Sequence, residues 1–65
     1  MKFYIALVKG NDMKILSEHD TLEEAMKAGE IANKTIKERG IISCINANIN
    51  EKGEIVGQYR FYNAW

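Results

Sequence analysis

One helix must serve four strands in this chain, and that ratio limits what it can fold into. Asp20-Thr21 opens a capped amphipathic segment that Gly40 closes, and strand-like runs flank it in pairs. A single helix covers one face of a β-layer, so the other face is left to water, a partner or a ligand. Sixty-five residues allow one domain, expected over 1–65. A domain of that size buries only about 60% of the surface its unfolded chain exposes. Small domains compensate with disulfides, a metal or oligomerisation. Cys44 and His19 are the sole residues of their types. That excludes an intrachain disulfide, a multi-cysteine zinc site and His-rich ligation, and no cofactor is expected. Oligomerisation is the device left.

Nine basic and nine acidic residues cancel, so net charge gives no case for nonspecific binding to nucleic acid or anionic lipid. No apolar run approaches the roughly 20 residues that span a bilayer. The start, Met1 to Val8, has one basic residue and a short apolar run followed by Lys9-Gly10, unlike a signal peptide. A cytoplasmic location is expected, and the length from Met1 to Trp65 fits a free-standing protein.

Residues 2–9 are rich in aromatic and β-branched types and form the first predicted strand. Gly10-Asn11-Asp12 signals a turn, and the shorter, more polar run Met13 to Glu18 pairs back as an edge strand. Thr21 with Glu24 makes a capping box; Asp20 with Glu23 offers the same box one residue earlier. Leu22, Ala25, Met26, Gly29, Ala32 or Asn33, and Ile36 recur at helical spacing. Small residues on that stripe let the helix sit close to a sheet. Lys37 and Arg39 suit the negative end of the helix dipole, and Gly40 is placed as the left-handed residue after the helix. Residues 41–49 form a third strand. Asn50-Glu51-Lys52-Gly53 reads as a turn with Gly53 left-handed, and Glu54 to about Tyr62 closes a second hairpin.

The expected fold is α+β, a ββαββ chain with a four-stranded antiparallel sheet and one helix on one face. Strands one and three are the most apolar on both faces, which makes them central and gives the order 2-1-3-4. The competing order 1-2-3-4 would bury the polar second strand. Alternation assigns Phe3, Ile5, Leu7, Ile45, Ile49, Ile55, Tyr59 and Phe61 to the helix side. The open side is then expected to hold Tyr4, Ala6, Val8, Ile42, Cys44, Asn46, Asn48, Val56, Gln58, Arg60 and Tyr62. A mixed apolar, aromatic and hydrogen-bonding face of this kind marks an interface, and Tyr and Arg are frequent anchors of one.

Candidate chemistry is sparse. His19 precedes the helix, but the sequence positions no serine or cysteine nucleophile to work with it. Cys44 lies mid-strand, far in sequence from any helix N-terminus that would lower its pKa, and reads as a packing cysteine. Glu23 and Glu24 point about 100° apart on a helix and do not converge. The glycines match no phosphate loop. The segment Tyr59-Arg60-Phe61-Tyr62-Asn63-Ala64-Trp65 mixes aromatics with an arginine, as sheet-based RNA binders do, but alternation splits them between two faces.

His19-Asp20-Thr21-Leu22-Glu23-Glu24-Ala25-Met26-Lys27-Ala28 resembles the helix start of small bacterial and phage ββαββ proteins of unknown function, whose plan residues 13–62 follow loosely. The same stretch is similar to the helix start of HicB-type antitoxins, in which a small α/β domain covers a toxin's active site. This chain lacks the Pro-Gly-Cys stretch usual before that helix, so no functional residue carries over. The expectation from residues and resemblance together is a non-enzymatic, homodimeric protein-interaction module, a regulator or inhibitor of another protein. Two alternatives stand beside it: a nucleic-acid-binding regulator using the last strand and Arg60, and a small-molecule binder with a site at the dimer seam lined by Tyr4, Asn46, Asn48, Arg60 and Tyr62.

Overall fold

The computed structural model describes residues 2–62, with side chains as far as Gly57. Its elements are β1 (Lys2–Lys9), β2 (Asp12–His19), α1 (Leu22–Thr35), β3 (Ile41–Ile49) and β4 (Ile55–Tyr62). They form one antiparallel sheet in the order β2-β1-β3-β4, with the two most apolar strands central as the sequence implied.

Local chemistry sets the connections. Lys9 pairs with Asp12, so Gly10 and Asn11 alone make the first turn. Gly10 has φ +59 while Asn11 does not leave negative φ, the pattern of a hairpin turn with glycine in its first central position. At the helix start, the Thr21 hydroxyl accepts from the Glu24 amide at 3.2 Å, which decides between the two possible caps. In the second hairpin the Gly53 amide donates to the Asn50 carbonyl at 3.0 Å, and the Asn50 side chain accepts from the amides of Lys52 and Glu54.

The helix ends earlier than expected. It stops at Thr35, and Ile36 turns extended while its amide still donates to the Ala32 carbonyl. Half-buried Ile36 packs against the core under the helix, and that contact draws the chain off the helix axis toward β3. Gly40 therefore does not cap α1. At φ +136 it lies so close to β1 that a Cβ would sit 2.7 Å from the Val8 carbonyl oxygen and 2.8 Å from Leu7 Cδ1. A glycine is needed there both for the dihedral and for the space.

Register settles which side chains share a face. Phe3, Ile5 and Leu7 lie under the helix as expected, packed with Ala25 and with Met26, Ala28, Ala32 and Ile36. Their partners in β3 are Asn46, Cys44 and Ile42. Directly paired residues project to the same side, so Ile42 and Cys44 belong to the helix-side core and Ile45 and Ile49 to the opposite face. This reverses the expected orientation of β3. Alternation within β3 leaves two equally regular choices, and its pairing with β1 selects the one that puts the odd-numbered isoleucines away from the helix. Ile55, paired with Ile49, goes with them. Tyr59 and Phe61, also assigned to the helix side, lie outside the described side chains.

Both edge strands are irregular. In β2 the register shifts where Ile5 pairs with Ser17 and Ala6 with Ile15, which leaves Leu16 as an extra residue packed toward the helix-side core. In β4, Asn46 pairs with Arg60 but Asn48 with Val56, so residues 57–59 span the position opposite Ala47, and Gly57 takes φ +100.

Candidate functional site

The sheet face opposite the helix is built in cross-strand rows. Met13, Val8 and Ile41 form one row across β2, β1 and β3. Ile15, Ala6 and Ser43 form the next, and Tyr4 and Ile45 pair in the row after that. Ala47, Ile49 and Ile55 continue the face toward the second hairpin turn. This layer is more apolar than the sequence pattern suggested, because the isoleucines of β3 point here and its asparagines do not.

Exposure divides the face. Tyr4, Ala6, Ser43, Ile45 and Ala47 at its centre are buried within the chain. The uncovered part is at the ends. Ile41 is 61% exposed and Ile15 38%, beside half-buried Val8 and Met13. At the other end Ile49 and Ile55 are half-buried. Met13 and Ile55 both pack against the central Ala6–Ile45–Ala47 cluster, so the two ends join through it.

Of the expected face residues, Tyr4, Ala6 and Val8 are here. Ile42 and Cys44 are not; they are buried under the helix. Asn46 and Asn48 fall on the helix side of β3 by the same register, and Val56 pairs with Asn48. Asn46 Nδ2 donates to the Lys2 carbonyl at 3.3 Å. Gln58, Arg60 and Tyr62 lie outside the described side chains. Met13, Ile15, Ile41, Ile45, Ala47 and Ile49 were absent from the expected set. The signal that would have placed them is inter-strand register, which no single strand carries.

Electrostatics tunes the rim. Tyr4 Oη donates to Glu18 Oε1 across a long 3.5 Å, and burial, reinforced by Glu18, pushes the phenol above its usual pKa. Lys2 and Asp20 form an exposed ion pair that raises the lysine and lowers the aspartate. Lys9 and Glu38 make another at 2.6 Å, which holds the Glu38 carboxyl below its usual range, with help from Lys14. Burial pushes the Cys44 thiol up, away from the reactive thiolate.

One pairing overturns the expectation for His19. Ser17 Oγ is 2.7 Å from His19 Nε2, because residues two apart on a strand share a face. A nucleophile and a base are thus in hydrogen-bond reach. Among the described residues nothing hydrogen-bonds the other ring nitrogen, so no third group orients the imidazole. The described residues also contain no group of three or more His, Cys, Asp or Glu side chains able to hold a metal ion, and no helix long and apolar enough to cross a membrane.

Compared with known protein families, curated proteins and solved structures, the chain matches none.

Proposed function

We propose that the chain is a non-enzymatic protein-interaction module that works as a homodimer, a small cytoplasmic regulator or inhibitor acting on another protein. The observation that carries this reading is the exposure of Ile41 and Ile15 beside half-buried Val8 and Met13 on the face opposite the helix. Uncovered apolar groups in adjacent rows form a contiguous patch, which is what interaction surfaces present.

Size-exclusion chromatography with light scattering tests the reading. A mass near twice 7.4 kDa at micromolar concentration is the expected result, and a monomer there would refute it.

A further inference from the structure

The row that holds Ile41 crosses three strands, and register fixes what comes fourth. Met13 of β2 pairs with Val8 of β1, and Val8 pairs with Ile41, the first residue of β3. β4 lies on the other side of β3 and runs antiparallel to it, so it heads toward Ile41 as it leaves the second hairpin turn. Its irregularity is confined to the stretch opposite Ala47. Beyond that stretch Arg60, Phe61 and Tyr62 pair in succession with Asn46, Ile45 and Cys44. Tyr62 is the last described residue of the strand, and its partner Cys44 is three positions from Ile41.

Counting on in the same register sets Asn63 opposite Ser43, Ala64 opposite Ile42 and Trp65 opposite Ile41. β3 stays paired with β1 from Ala47 to Ile41, so the pleat that β4 follows continues over these positions. Asn63 and Ala64 are poor strand formers, whereas tryptophan favours strands and pairs well with a β-branched neighbour. Directly paired residues project to one side, which puts Trp65 on the face opposite the helix with Ile41, Val8 and Met13. A slip of one residue would turn it to the helix side.

Ile41 is where such a neighbour adds most. It is 61% exposed although its strand is central. A tryptophan beside it widens the row to all four strands with the bulkiest side chain in the sequence, and tryptophan is among the types that most often anchor interfaces. Resting in its second half on the homodimer reading above, we infer that residues 63–65 continue β4 in this register, and that Trp65 beside Ile41 belongs to the patch through which the dimer forms.

Proton NMR of the full chain tests the first half. Cross-strand NOEs should link the Trp65 indole to the Ile41 methyl groups, and the backbone protons of Trp65 to those of Ile41. There is one tryptophan, so the indole signals need no separate assignment. Isotope-filtered spectra of mixed labelled and unlabelled protein should place these NOEs within one chain. For the second half, Trp65→Ser should weaken dimerisation at least tenfold in sedimentation equilibrium and leave the methyl shifts of Ile5 and Ile45 in place. Trp65→Phe, which keeps a ring at the position, should weaken it less than Trp65→Ser does. NOEs from the indole to Leu7 or Ile42 in place of Ile41, NOEs found only between chains, or no NOE to the sheet at all would each overturn the strand extension and leave the homodimer reading intact. A dimer whose Kd moves less than threefold with Trp65→Ser would overturn the role in the patch alone. A chain that shows the NOEs but stays monomeric at every accessible concentration would uphold the extension and refute the homodimer reading.

Discussion

Ile41→Ser is the most direct perturbation of the proposed contact. Ile41 keeps 61% of its surface exposed in the isolated chain. Full burial of an isoleucine stabilises by about 1.5–3 kcal/mol, so covering what is left contributes about 1–2 kcal/mol per copy. A symmetric dimer contains two such residues, which makes the total about 2–4 kcal/mol and the expected rise in Kd roughly 30- to 700-fold. Folding of the single chain should change by no more than about 0.5 kcal/mol, because the side chain is already mostly in water there. Sedimentation equilibrium across a dilution series gives the Kd, and urea unfolding of dilute protein gives the stability. Ile31→Ser is the matched control: Ile31 is 63% exposed but lies on the helix, so its removal should leave Kd unchanged. A dimer whose Kd moves less than threefold with Ile41→Ser would refute the placement of the contact. Equal effects at Ile41 and Ile31 would refute it too.

Further predictions concern the fold that presents this face. Ile45→Ala should cost about 2–5 kcal/mol in urea unfolding, since Ile45 is fully buried although no helix covers it; a loss below about 0.5 kcal/mol would mean that this layer is solvated. Gly40→Ala should cost about 2–4 kcal/mol from strain plus collision with the Val8 carbonyl. Gly10→Ala, where φ is positive but nothing lies within 4 Å of the new methyl, should cost about 1–2 kcal/mol. Indistinguishable losses at the two glycines would contradict the close approach of Gly40 to β1. Stability should also fall at both pH extremes. Asp20 and Glu38 have folded pKa values depressed below 3.8 and 4.5, so their contribution is present above those values and lost as pH drops through the lower folded ones. Cys44, Tyr4 and Lys2 are raised above 9.0, 10.0 and 10.5, so their contribution is present below those values and lost as pH rises past them. A pH–stability profile flat from pH 9 to 11 would contradict the burial assigned to Cys44 and Tyr4.

Element order and most strand boundaries were legible because they are written locally. The Gly10 and Gly53 turns, the Thr21–Glu24 cap and the β-branched runs each depend on a few adjacent residues. The order 2-1-3-4 followed from which strands are apolar on both sides. The end of α1 was not legible, since Gly40 satisfies the local rule for a helix stop, and the true break at Ile36 comes from that side chain's pull into a core made by distant strands. The orientation of β3 was not legible either. Both of its faces carry apolar residues, so alternation alone cannot choose, and the decision lies in the pairing of Ile5 with Cys44. The candidate face was consequently half right. Its β1 members are in place, its described β3 and β4 members were taken from the wrong parity, and the apolar character that motivated it is stronger than expected.

Methyl NMR on dilution tests the central claim most directly. Resonances of Val8, Ile15, Ile41, Ile49 and Ile55 should shift together, with one midpoint, as the dimer dissociates, while Ile31 on the helix and Ile42 beneath it stay fixed. Shifts centred on Ile31, or no concentration dependence at any methyl, would contradict the account.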